Sequence, residues 1–401
     1  MKIIQERAPH LRRKDSVAIM MTDVVIALLP VIVYSFLFYN LYALRNLLIS
    51  VLVFELCEFV FVLIQNRVPT DGEKHSLSEH LKRGITAYKN HLPVNLLVPL
   101  VSGLIYGLIS PIDTSNGMLF YLVLISGAVF GSVIGKLVFG GTGNNIFNPA
   151  AVGMVFSKIC WGSYYVYPDP FAPDSTGKVG SNLLDVSNEV ISGATPISVN
   201  NINSINSGVF NNPNLTNYSL LDLFLGRIPG VMGEVCKVLI LVGLAYLIIR
   251  HTIDWRISVS YLASFFVYMV VCGVILWYAG FWLTDTARLN PFYFATYELL
   301  SGGLIFGATF MATDPVTSPI TGPGRTLFGI ILGSLTALMR LFSSSPEGVV
   351  YAILIGNMIT PMIDYYKWSD NRWTWKKIAC MASVFVFTVL VIIWAVTVKV
   401  L

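Results

Sequence analysis

Ten apolar runs, each about fifteen to twenty-four residues long, constrain this sequence more than any motif in it. They are Val17 to Phe38, Leu41 to Ile64, Leu92 to Ser110, Met118 to Phe139, Val235 to Ile249, Ile257 to Ala279, Tyr293 to Met311, Thr326 to Leu341, Gly348 to Met362 and Ile378 to Val398. A helix needs about 20 apolar residues to cross hydrocarbon, where each backbone N–H and C=O must be paired within the protein. Ile146 to Cys160 is shorter; it is read as an eleventh, irregular crossing because Asn148-Pro149 opens it and proline suits the first turn of a helix. Only 12% of the 401 residues are charged, against about a quarter in soluble domains, and mean hydropathy is +0.69. The predicted fold is therefore all-α, a polytopic membrane protein of ten or eleven transmembrane helices with one sizeable polar excursion.

No basic stripe points to nucleic acid, and the net charge is only +4. Five cysteines, Cys57, Cys160, Cys236, Cys272 and Cys380, lie in or beside apolar segments without a C-x-x-C pair, so they read as small buried hydrophobes. No metal or iron-sulfur cluster ligated by this chain is expected. The polar, basic start from Met1 to Asp15 leads into a full-length span without a small-residue cleavage site, which argues against a removable signal peptide.

With a cytoplasmic N-terminus, 17 of the 26 Lys and Arg residues fall on the cytoplasmic side, among them Arg12, Arg13, Lys82, Arg250, Arg325 and Lys376. The positive-inside rule selects this orientation, and with it an external segment Trp161 to Glu234. Gly103-Leu104-Ile105-Tyr106-Gly107 in the third span recurs as Gly303-Leu304-Ile305-Phe306-Gly307 in the eighth. Five crossings separate the copies, so they run in opposite directions, as in inverted repeats that build a site near the midplane; chance similarity of two Gly-rich helices is the alternative. The expected division is 1–160 first repeat, 161–234 external segment, 235–363 second repeat, and 364–401 a link with an extra C-terminal helix.

Four segments carry polar chemistry. Ser192-Gly193-Ala194-Thr195-Pro196 is a small-residue turn that leaves a threonine hydroxyl open to covalent modification, although a plain surface turn has the same composition. Arg227, Gly230, Gly233 and Glu234 stand in a glycine-rich stretch before the sixth span, which suits either an anion cradle or a tight re-entry into the membrane. Gly140 to Ala150, with Asn144 and Asn148, and Met311 to Arg325, with Asp314, join comparable spans of the two halves on the cytoplasmic side. Irregular backbone at that depth is tolerated where it lines a cavity. Within spans, Asp23, Glu55, Glu58, Lys136 and Arg340 each cost about 2.5 to 3.5 kcal/mol at the bilayer centre, so each requires a partner or a wet path. For Glu55 and Glu58 an ion path and a structural pairing, with Lys136 or with the neighbours of Asp23, stay open.

Together these segments resemble the D subunit of Rnf-type electron transport complexes and its relative, the B subunit of sodium-pumping NADH:quinone oxidoreductase. The resemblance runs from Ala8-Pro9-His10-Leu11-Arg12 to Ile363-Asp364-Tyr365-Tyr366 and is carried by Gly-Gly-Thr-Gly-Asn-Asn-Ile-Phe-Asn-Pro-Ala, Ser-Gly-Ala-Thr, Pro-Gly-Val-Met-Gly-Glu-Val and Ala-Thr-Asp-Pro-Val-Thr in family order. It implies FMN held through a phosphoester on Thr195, with Ser192, Gly193, Ala194, Arg227, Gly230, Gly233 and Glu234 around the flavin. It also implies two inverted five-helix repeats, and an ion path or second cofactor, riboflavin, at Glu58, Asn144, Asn148, Asp314 and Asp364. The implied setting is a bacterial inner membrane, with partner subunits that include an external FMN-bearing one and small membrane subunits. The longer link from Gln65 to His91 and the helix from Ile378 to Val398 depart from the usual pattern of the Rnf-type relatives.

The expected function is that of a membrane subunit of an ion-translocating translocase, moving Na+ or H+ and passing electrons between partners that react with NADH or ferredoxin. No dinucleotide fingerprint follows a strand here, so that chemistry is expected on other subunits, and the chain is not expected to act alone. The rivals are the B subunit of the quinone-reducing complex, a stand-alone channel or carrier for a small polar solute, and a structural scaffold.

Overall fold

In this computed structural model the described residues are 16–65, 77–110, 118–162, 218–280, 282–284, 287–288, 290–343, 347–365, 368 and 370–400. They form thirteen helices: α1 (Val17–Gln65), α2 (Leu77–Asn90), α3 (Leu92–Ile109), α4 (Met118–Gly135), α5 (Pro149–Trp161), α6 (Leu220–Leu225), α7 (Lys237–Ile249), α8 (Trp255–Tyr278), α9 (Pro291–Leu300), α10 (Leu304–Met311), α11 (Gly322–Phe342), α12 (Val349–Ile363) and α13 (Trp375–Val400). Two short antiparallel strands, Trp282–Thr284 and Ala287–Arg288, lie between α8 and α9. Seven segments are long and apolar enough to cross a membrane, an eighth is the bent pair α9–α10, and α5, α7 and α12 are shorter apolar helices. The chain is a polytopic all-α membrane protein.

Helix α1 spans 49 residues and contains two of these segments, Val17–Tyr39 and Leu41–Gln65. A straight helix of that length would extend about 74 Å, more than twice the hydrocarbon thickness. It doubles back instead: Val17 to Val24 and Val94 to Ile105 line one cavity, while α3 packs antiparallel on the second half through Gly103 and Gly107. A Cβ on Gly103 would lie 2.7 Å from Val51 Cα, so only glycine admits this approach. On its outer face, Leu41, Leu48, Leu52, Leu56, Val60 and Ile64 are exposed at helical spacing, an apolar stripe suited to lipid.

The other helix pairs use the same device. α4 meets α5 at Gly131, where a Cβ would stand 2.5 Å from the Pro149 carbonyl oxygen, and α8 meets α11 at Gly329 and Gly333. Lipid offers no hydrophobic reward for helix association, so close backbone approach and its dispersion contacts hold such interfaces. Hydrogen bonds add to them. Asp23 on α1 accepts from Tyr246 Oη (3.0 Å), Thr252 Oγ1 (3.0 Å) and Arg250 Nε (3.3 Å) at the end of α7. α13 docks on α8 and α11 through Thr388 Oγ1, 3.0 Å from Ser334 Oγ, itself 2.9 Å from Tyr268 Oη.

Two features depart from the spans read in the sequence. The link from Gln65 to His91 contains α2, which returns to α1: Gly84 faces Leu63, and the Tyr88 ring lies 5.2 Å from that of Phe59. Tyr293 to Met311 is not one straight crossing, because α9 and α10 meet at 63°, with Gly302 at φ +57 and a π-turn over Gly307–Met311. Of the cysteines, Cys236 and Cys272 are buried, Cys57 and Cys380 half-buried, and Cys160 is exposed.

Candidate functional site

The site begins where α4 fails to continue. Lys136 leaves the helix at φ −136, ψ −56, a single 3-10 turn Leu137–Phe139 follows, and Gly140, Gly141 and Gly143 take φ of +114, +87 and +93. Side chains with a Cβ are strained there, so the link depends on its glycines. It ends at Asn148, whose Oδ1 accepts from Ala150 N–H (3.1 Å) and Ala151 N–H (3.2 Å), capping α5 with Pro149 in its first turn. Asn148 Nδ2 then donates across the molecule to the Met311 carbonyl (3.3 Å), where the link from α10 to α11 starts. The two irregular links recognised in the sequence thus meet.

Between them and the starts of α1 and α3 lies a cavity of about 440 Å³, within the range of small-molecule sites. Val17, Met21, Val24, Val98 and Val101 give it an apolar wall, while Lys136, Thr142, Asn145, Asn148, Thr313 and Asp314 supply polar groups. Asn144 is exposed and stands off that wall, with Asn145 in its place. Asp314 is half-buried and accepts from Val316 N–H (3.1 Å). Burial raises its carboxyl above the ordinary carboxylate range, while the Val316 N–H and the Lys136 ammonium pull the other way.

Glu58, 3% exposed, faces the same links from α1. Its Oε2 lies 2.8 Å from Lys136 Nζ, and its Oε1 accepts from Thr142 Oγ1 at 3.2 Å. One turn away, Glu55 Oε2 accepts from Tyr88 Oη at 3.5 Å. The structure therefore pairs Glu58 with Lys136 and Asp23 with Arg250, separating two neighbourhoods that the sequence left open. Asp364, at the end of α12, lies apart from the cavity wall: its Oδ1 accepts from Ile320 N–H at 3.0 Å. Burial raises its carboxyl too, opposed by the Ile320 N–H and by Arg325.

A second polar centre forms at the opposite end of the bundle, where α9 breaks. Lys237, 1% exposed, donates to the carbonyls of Glu234 and of Gly302, the latter at 2.8 Å. Arg340, 2% exposed, donates to the Glu298 carbonyl, to Ser301 O (3.0 Å) and to Glu298 Oε2 (3.5 Å). Two buried cations thus occupy carbonyls that the helix break would otherwise orphan. Glu234 sits over Gly303, where a Cβ would stand 2.2 Å from its Oε1, and burial lifts its carboxyl above the ordinary range. Beside it Lys158 pairs with Glu347 at 2.6 Å.

The glycine-rich stretch before α7 folds against α1 and α3. Gly226 N–H and Arg227 N–H close α6 on Asp222 O, both at 2.8 Å, and Gly233 N–H donates to Leu108 O at 3.0 Å. Its carbonyls are met from α1: Tyr34 Oη reaches Gly226 O (3.0 Å), Ser35 Oγ reaches Met232 O (3.2 Å), and Tyr39 Oη reaches Gly230 O (3.2 Å). The Arg227 side chain remains exposed. Ser192, Gly193, Ala194 and Thr195 lie outside the described residues.

The model of the NQR2, RnfD, RnfE family matches residues 4–371. The chain belongs to that family. Family membership covers both irregular links, the cavity and the break in α9–α10, and leaves α13 outside the matched region. Over 361 residues the chain is 28% identical to the D subunit of the proton-translocating ferredoxin:NAD(+) oxidoreductase complex of Clostridium ljungdahlii, covering 90% of this chain and 92% of the relative. Identity and coverage are the same for the D subunit of the Na(+)-translocating ferredoxin:NAD(+) oxidoreductase complex of Acetobacterium woodii. To the B subunit of the Na(+)-translocating NADH-quinone reductase of Chromohalobacter salexigens it is 35% identical over 246 residues, 60% of this chain and 52% of the relative. The chain thus spans about half the length of that quinone-reductase relative. Two equally similar family members are named for different ions, so overall similarity does not choose between them.

Sequence reasoning missed Glu298 and Lys237 as members of the second centre. The available signal was an ionisable residue inside or at the edge of an apolar run, the same signal that had singled out Arg340.

Proposed function

We propose that this chain is a membrane subunit of an ion-translocating Rnf-type redox complex of the bacterial inner membrane, with its N-terminus in the cytoplasm and FMN esterified to Thr195 on the external side. The observation that carries the reading is the cavity where the two irregular links of the family meet beside the buried Glu58–Lys136 pair. In this reading residues 1–160 and 235–363 are inverted repeats, 161–234 is the flavin segment, and 364–401 adds a link and a further helix. The partners are an external FMN-bearing subunit, small membrane subunits, and subunits that react with NADH or ferredoxin.

The cavity residues fit a second, non-covalent flavin such as riboflavin. A planar heteroaromatic ring needs apolar walls and a few amide or hydroxyl groups, and Val24, Val98 and Val101 face Thr142, Asn145 and Asn148 across a space of suitable size. When bound, a flavin supplies one- or two-electron chemistry that the side chains lack. The protein's own residues do the rest: Asn148 fixes the two links to each other, the apolar wall excludes water, and Glu58, Asn144, Asp314 and Asp364 supply acceptor groups along an ion route at this end. At the opposite end Arg227, exposed beside the glycines Gly230 and Gly233, offers positive charge to a phosphate on the external segment. Moving one charge against 100 mV costs about 2.3 kcal/mol, so the driving voltage must come from the redox partners.

The bent pair α9–α10 with its π-turn also suits a stand-alone carrier, since broken helices mark transporter sites. Vesicles containing the purified complex separate the readings. Adding the electron donor is expected to generate a membrane potential that a cation ionophore collapses. Solute uptake by this chain alone, with no redox-driven potential in the complex, would favour the carrier.

A further inference from the structure

The buried cations Lys136 and Arg340 lie at the last turns of spans at opposite ends of the bundle, and they are held very differently. Arg340 is fixed by backbone carbonyls as well as by Glu298. Lys136 meets Glu58 as a 2.8 Å ion pair, with no backbone carbonyl fixing it among the described residues. An ammonium has three donors, and one carboxylate oxygen does not engage them all, so part of this ammonium's donor capacity is open toward the cavity.

Three further observations make Lys136 movable. Its backbone is the point where α4 stops, followed by a short turn and three glycines at positive φ, rather than the middle of a helix. Its side chain lines the cavity. Asp314, on the link of the other half, lines that cavity too and lies within electrostatic reach of Lys136. Glu55 adds a third carboxylate near the same ammonium. Two further carboxyl groups therefore lie within electrostatic reach of a lysine already paired with Glu58, which gives the cluster capacity for a further positive charge.

We propose that Lys136 is a tethered counter-ion: its ammonium occupies the Glu58 carboxylate at rest and swings to Asp314 when a monovalent cation from the cavity takes its place. This deepens the reading of Glu58 as part of the ion route and rests on it. The charges balance: Glu58 exchanges one cation for another, Asp314 gains the lysine, and the net gain is the single charge of the incoming ion. Thr142, which donates to the other Glu58 oxygen, keeps the carboxylate oriented through the exchange. A site occupied most of the time by its own competitor shows an apparent affinity reduced by the free fraction.

The test uses the intact purified complex and measures redox turnover against sodium chloride concentration, with choline as the replacement ion, and against pH in sodium-free buffer. In Lys136→Met the competitor is gone, and the half-saturating cation concentration is expected to fall about tenfold, equivalent to about 1.4 kcal/mol. A shift in the sodium titration identifies sodium as the ion, and a shift confined to the pH profile identifies the proton. Lys136→Arg, whose forked guanidinium grips a carboxylate bidentately, is expected to raise the half-saturating concentration. Unchanged cation dependence in Lys136→Met overturns the proposal; if that variant does not assemble, unchanged dependence in Lys136→Arg does so. Glu58→Gln separates the two levels. If Glu58→Gln alters cation dependence and the Lys136 variants do not, Glu58 stays on the route and the counter-ion role is wrong. If Glu58→Gln changes nothing, the route itself lies elsewhere and the proposal falls with it.

Discussion

Replacing Arg340 with Met is expected to cost this protein about 3–5 kcal/mol, the range seen when one partner of a buried ion pair is removed. Arg340 is 2% exposed and serves Glu298 Oε2 together with the carbonyls of Glu298 and Ser301. Methionine fills similar space but removes the donor that Glu298 Oε2 and two carbonyls share where α9 breaks. Marginal stabilities of about 5–15 kcal/mol leave little margin for such a loss. The expected result is a large drop in monodisperse protein after detergent extraction and a lower melting temperature. The double variant Arg340→Met with Glu298→Met is expected to recover part of the loss, because it also removes the buried carboxylate that Arg340 balances. Arg340→Lys is expected to fall between, since one ammonium cannot span all three acceptors. A single variant as stable as the parent would show that the pair does not hold the break.

The same residues show what sequence patterns can and cannot convey. Spans were legible because hydrocarbon thickness sets a length that apolar runs must match. Asn148-Pro149 was legible as a helix start because capping and first-turn proline are local effects, and the structure has Asn148 as the cap of α5. The bend between α9 and α10 was hidden: no charged residue or proline interrupts Ser301-Gly302-Gly303, and the break shows only in the backbone, in the extended Ser301 and the positive φ of Gly302. Helix α2 was hidden inside a polar link, because its packing surface is just one face, reaching Leu63 and Phe59 on α1. Pairings were the least legible. Glu58 and Lys136 are 78 positions apart, Glu298 and Arg340 are 42 apart, and no periodicity joins such partners. Asn144 and Asn145 stand side by side in sequence, and only the glycine-controlled turn decides that Asn145 faces the cavity.

The second large effect concerns the proposed flavin site. Thr195→Ala is expected to abolish electron transfer through the assembled complex while the chain still co-purifies with its partners. The missing hydroxyl is the group at that position able to form the phosphoester. Thr195→Ser retains a hydroxyl and is expected to keep part of the activity. Full turnover in the alanine variant would remove the external flavin from the electron route and leave the Glu58 end of the molecule to be explained in another way.

The most direct measurement is mass spectrometry of the peptide containing Thr195, taken from active complex produced with its native maturation machinery. The expected result is a peptide heavier by FMN less one water, with the modification on Thr195. An unmodified Thr195 peptide from fully active complex would contradict the account.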